Sequence, residues 1–445
     1  MIRISRRPLL VLFVEAAALA GAVILSGTFL RKLAARPRPA AGSAEALLRN
    51  FSGVNNMISA GAATELGVGW TRIPFDWRGI EPRKGDWRWD GTDAAIQQAH
   101  RSGMEMLPDI SFTAAWAAQP AHPGFQPSFG PPANVADWED FVERLVSRYS
   151  AEPYNLRYFQ IWNEPGGPFF QGTDQQFADL VYIPAAKIVR SHHGIVVFGG
   201  LADTVNLQRF NSLMNYHELW RLTDIVDVHY KGFGEFQQFY SAWVANGKCR
   251  GMWQTEVGWT PQPGFLGDLY SRTLHWTLEM GWRSPDEFKY IWFAGQGNGP
   301  QGNRCLVNLS LPAGKQYTDA GTRLEVMNQA LGSGPLSTYS EFSTEPPNGG
   351  LASNGWALGY HVGSNRVVIG FLMNRAVART YDSVRVNLQL PTKPSRVQLL
   401  SGLGKSWDLP PNFSGGHAQI TVPLRQGFDD CTACSTVQGY LVADE

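Results

Sequence analysis

The stretch Leu156-Arg157-Tyr158-Phe159-Gln160-Ile161-Trp162-Asn163-Glu164-Pro165 decides the reading of this chain. It is an aromatic-rich apolar run of strand length that closes on a carboxylate and a proline, so it predicts a buried strand with an acid at its carboxyl end. The same grammar recurs on both sides. Short apolar runs at 51–55, 70–75, 104–110, 195–199, 225–230, 251–255 and 289–293 read as further strands. The segments between them carry helical periodicity, as at 138–149 and 177–190. Strands alternating with helices imply a parallel sheet, and eight such units in this length fit a closed (β/α)8 barrel better than an open doubly wound sheet. No phosphate-cradling glycine loop follows the early strands, which weakens a nucleotide-binding reading.

After Gly332 the texture changes to short alternating strands at 366–371, 384–390, 396–400, 419–422 and 438–442, with proline and glycine between them. This predicts a C-terminal β-sandwich, read as a stabilising appendage on the barrel rather than an independent sugar-binding module. Ahead of the barrel, Arg3, Arg6 and Arg7 precede an apolar run over 9–30, broken only by Glu15. As a helix it would be about 33 Å long, matching a hydrocarbon core of ~30 Å. Arg31 and Lys32 follow at once, which favours an uncleaved membrane anchor over a cleaved signal. Basic residues flank both ends, so the positive-inside rule does not choose an orientation. The expected organisation is an anchor at 1–32, a tether at 33–50, the barrel at 51–332 and the β-sandwich at 333–445, with the barrel in the periplasm or at the cell surface.

Composition narrows the function classes. Lys+Arg and Asp+Glu balance at 38 each, which leaves no net field to recruit nucleic acid. Only 17% of residues are charged against 44% hydrophobic, which argues against disorder. Four cysteines are too few for a disulfide scaffold. Cys431 and Cys434 lack a second ligand pair at zinc spacing, and in an oxidising compartment they permit a local disulfide. Cys249 and Cys305 fall on opposite ends of the expected barrel, beyond reach of one another. His192-His193 reads as a solvated helix end. No metal and no cofactor is expected, and the sequence does not reveal the oligomeric state.

Glu164 ends the expected strand four. Glu256, in Trp253-Gln254-Thr255-Glu256-Val257-Gly258-Trp259, ends strand seven. Barrels display their reactive groups at the carboxyl ends of strands, so both acids face one mouth. Here the sequence resembles the retaining glycoside hydrolases of clan A. Asn163-Glu164-Pro165 occupies the place of their Asn-Glu-Pro run, and Thr255-Glu256 the place of their strand-seven glutamate. Trp77-Arg78-Gly79-Ile80-Glu81-Pro82-Arg83-Lys84-Gly85-Asp86-Trp87 is similar to their loop after strand two. Within the clan the chain looks most like family 39, which includes xylosidases, iduronidases and membrane-anchored hydrolases of bacterial exopolysaccharides. The resemblance implies that Glu164 is the acid/base, that Glu256 is the nucleophile and that Asn163 holds the sugar 2-hydroxyl. Glycoside cleavage needs one carboxyl group to protonate the leaving oxygen and a second to attack or to activate water, which fits this pair.

Supporting residues follow from position. His229 and Tyr230 end strand six beside Glu256, and strand alternation expects one of them, Tyr230 in preference, to point inward. Arg72 on strand two either keeps Glu256 ionised or serves as a structural ion-pair partner. Trp292 near the end of strand eight is a candidate platform for a sugar ring. Trp116, Phe125 and Phe129 lie in the long stretch after strand three and read as a subsite wall, with plain packing as the other reading. Trp162 is expected in the core or on the floor of the subsite. The leading expectation is a membrane-tethered glycosidase acting on a carbohydrate polymer, an exopolysaccharide by preference. An exo-acting glycosidase on short oligosaccharides and a non-catalytic carbohydrate-binding protein remain the other readings.

Overall fold

The computed structural model describes residues 47–119, 124, 126–258, 270–345, 356–374, 381–424 and 436–445. Eight strands, β1 (Ser52–Asn55), β2 (Trp70–Asp76), β3 (Glu105–Ser111), β4 (Tyr158–Ile161), β5 (Ile195–Val197), β6 (Ile225–His229), β7 (Gly251–Val257) and β8 (Phe288–Trp292), form a closed barrel in sequence order. Every neighbouring pair is parallel, and β1 closes on β8 with Val54 opposite Trp292. Because helices cover the outside and side chains fill the inside, these strands are buried on both faces, which is why they read as nearly continuous apolar runs. At Gly53 a Cβ would lie 2.8 Å from Ile291 Cγ1 and 2.9 Å from Trp70 Cβ, so only glycine lets β1 pass between its neighbours.

All eight expected barrel strands are present, with altered ends. β4 and β5 are shorter than predicted, while β7 continues to Val257. β4 stops early because Trp162 and Glu164 adopt positive φ, 71° and 48°, which turns the chain out of the sheet. The helix Val135–Ser150 begins where the Asn134 side chain accepts from the amide of Ala136, and it buries Trp138, Phe141, Val142, Leu145, Val146 and Tyr149 along one stripe. The expected helix over 177–190 is a π-helical turn, Phe177–Tyr182, followed by the α-helix Ile183–Ser191. Pro184 has no amide to complete an α-turn back to Leu180.

The barrel interior is layered. Trp70, Leu107, Tyr158, Ile195, Val197, Ile225 and Trp253 form an apolar plug toward the strand beginnings. The Trp70 and Trp253 ring centroids are 5.4 Å apart, and the Lys289 ammonium sits 4.7 and 5.2 Å from them. Toward the carboxyl ends the lining becomes polar, with Asn55, Arg72, Asp109, Gln160, Asp227 and Gln254 all buried. A polar mouth over a sealed floor is the consequence.

The C-terminal part is a sandwich of two antiparallel sheets. The six-stranded sheet runs Leu336–Thr338, Trp356–Val362, Arg366–Asn374, Thr436–Asp444, Arg396–Ser401 and Ser406–Asp408. The four-stranded sheet runs Phe342–Glu345, Ser383–Gln389, His417–Pro423 and Asn412–Ser414. Five of these strands were not expected. Four are only three or four residues long, too short for a period-2 signal, and Trp356–Val362 is interrupted by Gly359, where a Cβ would meet the Tyr339 carbonyl at 2.2 Å. The larger sheet packs on the barrel: Tyr360 donates to the Ser271 carbonyl at 3.1 Å, Arg323 donates to Gln438 Oε1 at 3.1 Å, and Tyr360, Val368, Leu400 and Tyr440 belong to the barrel's hydrophobic core.

Among the described residues, no helix is long and apolar enough to cross a membrane. The apolar run 9–30 lies outside the described residues, as do Phe125, Cys431 and Cys434. Cys249 and Cys305 are both buried free thiols. His192 sits on the surface, its Nε2 2.8 Å from Glu143 Oε1.

Candidate active site

Glu164 and Glu256 meet at the carboxyl end of the barrel. One oxygen of each, together with a ring nitrogen of His229, lies within 4.8 Å of the others. Each glutamate is 8% exposed, open to a reactant but otherwise withdrawn from water.

Glu256 is held from two sides. Arg72 Nη1 donates to Oε1 at 2.7 Å, and the Tyr230 hydroxyl donates to Oε2 at 2.7 Å. Burial works to raise its pKa, but the charges of His229 and Arg72 and these two hydrogen bonds outweigh it, so the carboxylate titrates below its ordinary range. Arg72 is itself locked by a full set of acceptors: Gln160 Oε1 at 2.7 Å, Asn55 Oδ1 at 2.9 Å, Asn163 Oδ1 at 2.7 Å and Asp109 Oδ2 at 3.2 Å. Burial disfavours its charge, yet Asp109, Glu256 and Asp227 overcompensate and keep the guanidinium protonated. Arg72 makes both contacts that its two readings call for, one with Glu256 and an ion pair with Asp109.

Glu164 is reached from β6. His229 Nδ1 lies 3.0 Å from Glu164 Oε1, and His229 Nε2 lies 3.0 Å from Thr255 Oγ1. The Thr255 hydroxyl has one proton, and it goes to Asp227 Oδ2 at 2.6 Å. Its oxygen therefore accepts from Nε2–H, which leaves Nδ1 to accept from the Glu164 carboxyl when that is protonated and to donate to it, as an imidazolium, when Glu164 is ionised. Electrostatics agree: burial opposes the charged ring, but the Glu256 charge and the Glu164 hydrogen bond outweigh it and hold His229 above its usual range. Burial also pushes Asp227 up to about 7, against the pull of His229 and Thr255. The chain Asp227–Thr255–His229–Glu164 thus ends with a single proton between imidazole and carboxyl.

The expectation that only one of His229 and Tyr230 points inward is corrected. β6 ends at His229, and Tyr230 adopts φ 55°, so strand alternation no longer applies and both side chains reach the glutamates. Asn163 spends its carbonyl oxygen on Arg72, which orients its amide group, and it is half-buried. Trp292 departs from the expected platform. It is 1% exposed, and its ring lies so close under Gly258 that a Cβ there would be 2.4 Å away, so it seals the rim between β7 and β8. Trp116 is likewise a packing residue: its indole donates to the Glu81 carbonyl at 2.8 Å and its ring stands edge-on to Trp77 at 5.5 Å. The Glu81 carboxylate accepts from Trp77 Nε1 at 2.8 Å and from the amide of Gly85 at 2.7 Å, which knits the loop after β2 together. Phe129 does join an aromatic wall, with Phe112 at 5.2 Å and Phe169 at 5.4 Å. Trp162 is wholly buried.

Sequence reasoning missed Asn55, Asp109, Gln160, Asp227 and Thr255. The signal that could have found them is a polar residue inside an otherwise apolar strand, since such a group must find partners in the barrel interior. Glu164, His229 and Glu256 also form a donor set of metal-binding type among the described residues. Each already has a hydrogen-bond partner, and the guanidinium 2.7 Å from Glu256 opposes a second cation there.

No protein-family model and no curated protein matches the chain. Solved structures do. A family 39 glycoside hydrolase from the gut symbiont Bacteroides cellulosilyticus WH2 superposes with a TM-score of 0.61 at 13% identity, covering 91% of this chain and 82% of that one. The fold is that of known glycoside hydrolases. A family 30 endoxylanase from Clostridium papyrosolvens C71 gives 0.60 at 14% identity, over 91% of this chain and 98% of that chain. A family 30 subfamily 8 xylanase from Clostridium acetobutylicum gives 0.56 at 14% identity, over 89% and 96%. This coverage exceeds what the barrel alone could supply, so the glycoside hydrolase likeness extends into the β-sandwich.

Proposed function

We propose that this chain is a retaining glycoside hydrolase that cuts a bacterial exopolysaccharide from a membrane tether, with Glu164 as acid/base and Glu256 as nucleophile. One observation carries the reading: two carboxylates at the barrel mouth have oxygens within 4.8 Å of one another, Glu256 held by Arg72 and Tyr230 and Glu164 by His229. Inverting pairs stand about 6.5–9.5 Å apart to admit a water between them, whereas retaining pairs stand about 5–5.5 Å apart. The likeness to solved glycoside hydrolases supports the same chemistry.

In the first step Glu256, kept ionised by Arg72 and Tyr230, attacks the anomeric carbon while Glu164 gives its proton to the leaving oxygen. The glycosidic C–O bond breaks and a glycosyl ester with Glu256 forms. In the second step Glu164 takes a proton from water, the water oxygen attacks the anomeric carbon, and Glu256 leaves as a carboxylate. His229 stabilises Glu164 when it is ionised and relaxes when it is not.

The polymer and tether readings rest on sequence. The apolar run 9–30 supports attachment, and the Phe112–Phe129–Phe169 wall beside β3 supports contact with more than one sugar ring. The test is Glu164→Gln and Glu256→Gln, assayed by reducing-end release from a panel of bacterial exopolysaccharides. Each variant should lose at least ~100-fold in rate with an unchanged melting temperature. Near-wild-type hydrolysis in either variant overturns the assignment. The anomeric configuration of the first product, followed by NMR, separates retention from inversion.

A further inference from the structure

An open cavity of about 610 Å³ lies at the opposite end of the barrel, where Asp224, Arg250 and Asp286 precede β6, β7 and β8. Five exposed cations line it, Arg190, Arg221, Lys248, Arg250 and Arg283, against two half-buried carboxylates, Asp224 and Asp286. The arginines have carboxylate partners: Arg190 with Asp224, Arg250 with Asp286, Arg221 with Glu218 and Arg283 with Glu287. Each pairing occupies only part of a five-donor guanidinium. Lys248 is different. Its ammonium lies 4.6 Å from the Trp243 centroid and 5.4 Å from that of Trp220, with no carboxylate partner among the described residues. Among the described residues the cavity therefore presents one ammonium without a carboxylate partner and several guanidinium N–H groups beyond those the ion pairs use, the donor set that recognises a phosphodiester.

Its position says where that phosphodiester comes from. The described chain enters the barrel at this same face, through the helix Leu47–Phe51, and Asn50 Nδ2 donates to the carbonyl of Pro285 at 2.6 Å, beside the cavity lining. The preceding sequence carries Arg31, Lys32, Arg36 and Arg38 directly after the apolar run 9–30. Residues 31–46 reach at most about 55 Å even when fully extended. Half-buried Trp220 adds an indole at the cavity rim, the residue type that settles at headgroup depth.

We propose that this cavity binds the phosphodiester headgroup of an anionic phospholipid and orients the barrel with its mouth away from the membrane; the proposal rests on the membrane tether of the preceding section. The test uses the full chain in nanodiscs of phosphatidylcholine alone or with phosphatidylglycerol, read by hydrogen–deuterium exchange. Amides of 245–251 and 283–287 should exchange more slowly in the phosphatidylglycerol discs, and the Lys248→Gln/Arg190→Gln double variant should lose that difference while keeping hydrolytic activity. Each basic residue near an anionic leaflet strengthens the attraction about fivefold, so two neutralisations weaken it by about 25-fold. Equal exchange in the two disc types, with the chain incorporated, overturns the lipid assignment alone. Failure of the full chain to incorporate overturns the tether and the lipid assignment together. Equal protection by inorganic phosphate in phosphatidylcholine discs reassigns the cavity to a free anion, and protection by a soluble acidic polysaccharide but not by lipid reassigns it to glycan; either overturns the proposal.

Discussion

Replacing Tyr230 by Phe removes one hydrogen bond and almost nothing else, which makes it a clean probe of how Glu256 is kept ionised. The phenol donates to Glu256 Oε2 at 2.7 Å inside a site where the carboxylate is 8% exposed. Burial and the neighbouring carboxylates raise the phenol's own pKa, so it stays protonated and remains a donor. A hydrogen bond to a charged partner contributes about 1.5–3 kcal/mol, and one pKa unit corresponds to about 1.4 kcal/mol. Its loss should raise the Glu256 pKa by about 1–2 units. The sign is set by the depressed pKa of Glu256 in the folded protein: the stabilisation it supplies is present above the unfolded value and is lost as pH falls through the folded value. In the variant the folded value lies nearer the unfolded one, so less stabilisation is present and its loss is complete at a higher pH. The acid limb of kcat/KM should therefore move up by about 1–2 units, with the melting temperature lowered at pH 7 and the difference from wild type closing as pH falls through the folded value of Glu256. The assay is reducing-end release from a glycoside substrate between pH 3 and 8, beside thermal melts. An active variant whose acid limb stays in place would show that Arg72 and His229 hold the charge without help, and would refute the reasoning.

Other perturbations bear on separate parts of the site. Arg72→Met leaves Asp109 and Glu256 buried without their cation and should cost about 3–5 kcal/mol in urea unfolding; Arg72→Lys should not restore it, because one ammonium cannot satisfy five acceptors. Burial pushes the wholly buried Asp109 up to about 6, so the folded state holds that proton longer and this share of stability is lost as pH rises from about 4 to 6. Asp109→Asn should remove about 3 kcal/mol of pH dependence between pH 4 and 7, measured as the difference in unfolding free energy; an unchanged difference tells against the shift. Gly258→Ala should lower both the melting temperature and the rate, because φ is +91° there and the new Cβ would strike the Trp292 ring. Normal values for both would show that the rim between β7 and β8 yields.

Much of the barrel was legible because its strands are buried on both faces, and apolar runs of that kind are hard to mistake when helices separate them. The two glutamates were legible for a local reason: Trp-Asn-Glu-Pro and Gln-Thr-Glu-Val each place an acid where an apolar strand ends. The internal polar network was harder to see. Asn55, Asp109 and Asp227 are single polar letters whose partners lie on other strands, and only barrel closure brings them within 3.2 Å of Arg72 or Thr255. Trp292 was misread because sequence places a ring at a strand end without telling whether the neighbouring strand covers it. Trp116 was misread for the same reason, its indole being taken up by the carbonyl of Glu81. The thin strands of the sandwich escaped because edge strands of three or four residues carry no periodicity.

The positive φ angles at Glu164 and Tyr230 have a consequence for anyone evolving this protein. Side chains with a Cβ sit uncomfortably in left-handed backbone, and glycine or asparagine would be more at ease at both positions. A library selected only for heat resistance would therefore be drawn toward changes at these two sites. Under the proposed mechanism, its hardiest survivors would include barrels that fold better than the parent and hydrolyse nothing. With the roles proposed above for Glu164 and Tyr230, stability and activity pull in opposite directions at these two backbone positions, so a thermal screen has to carry a turnover assay alongside it.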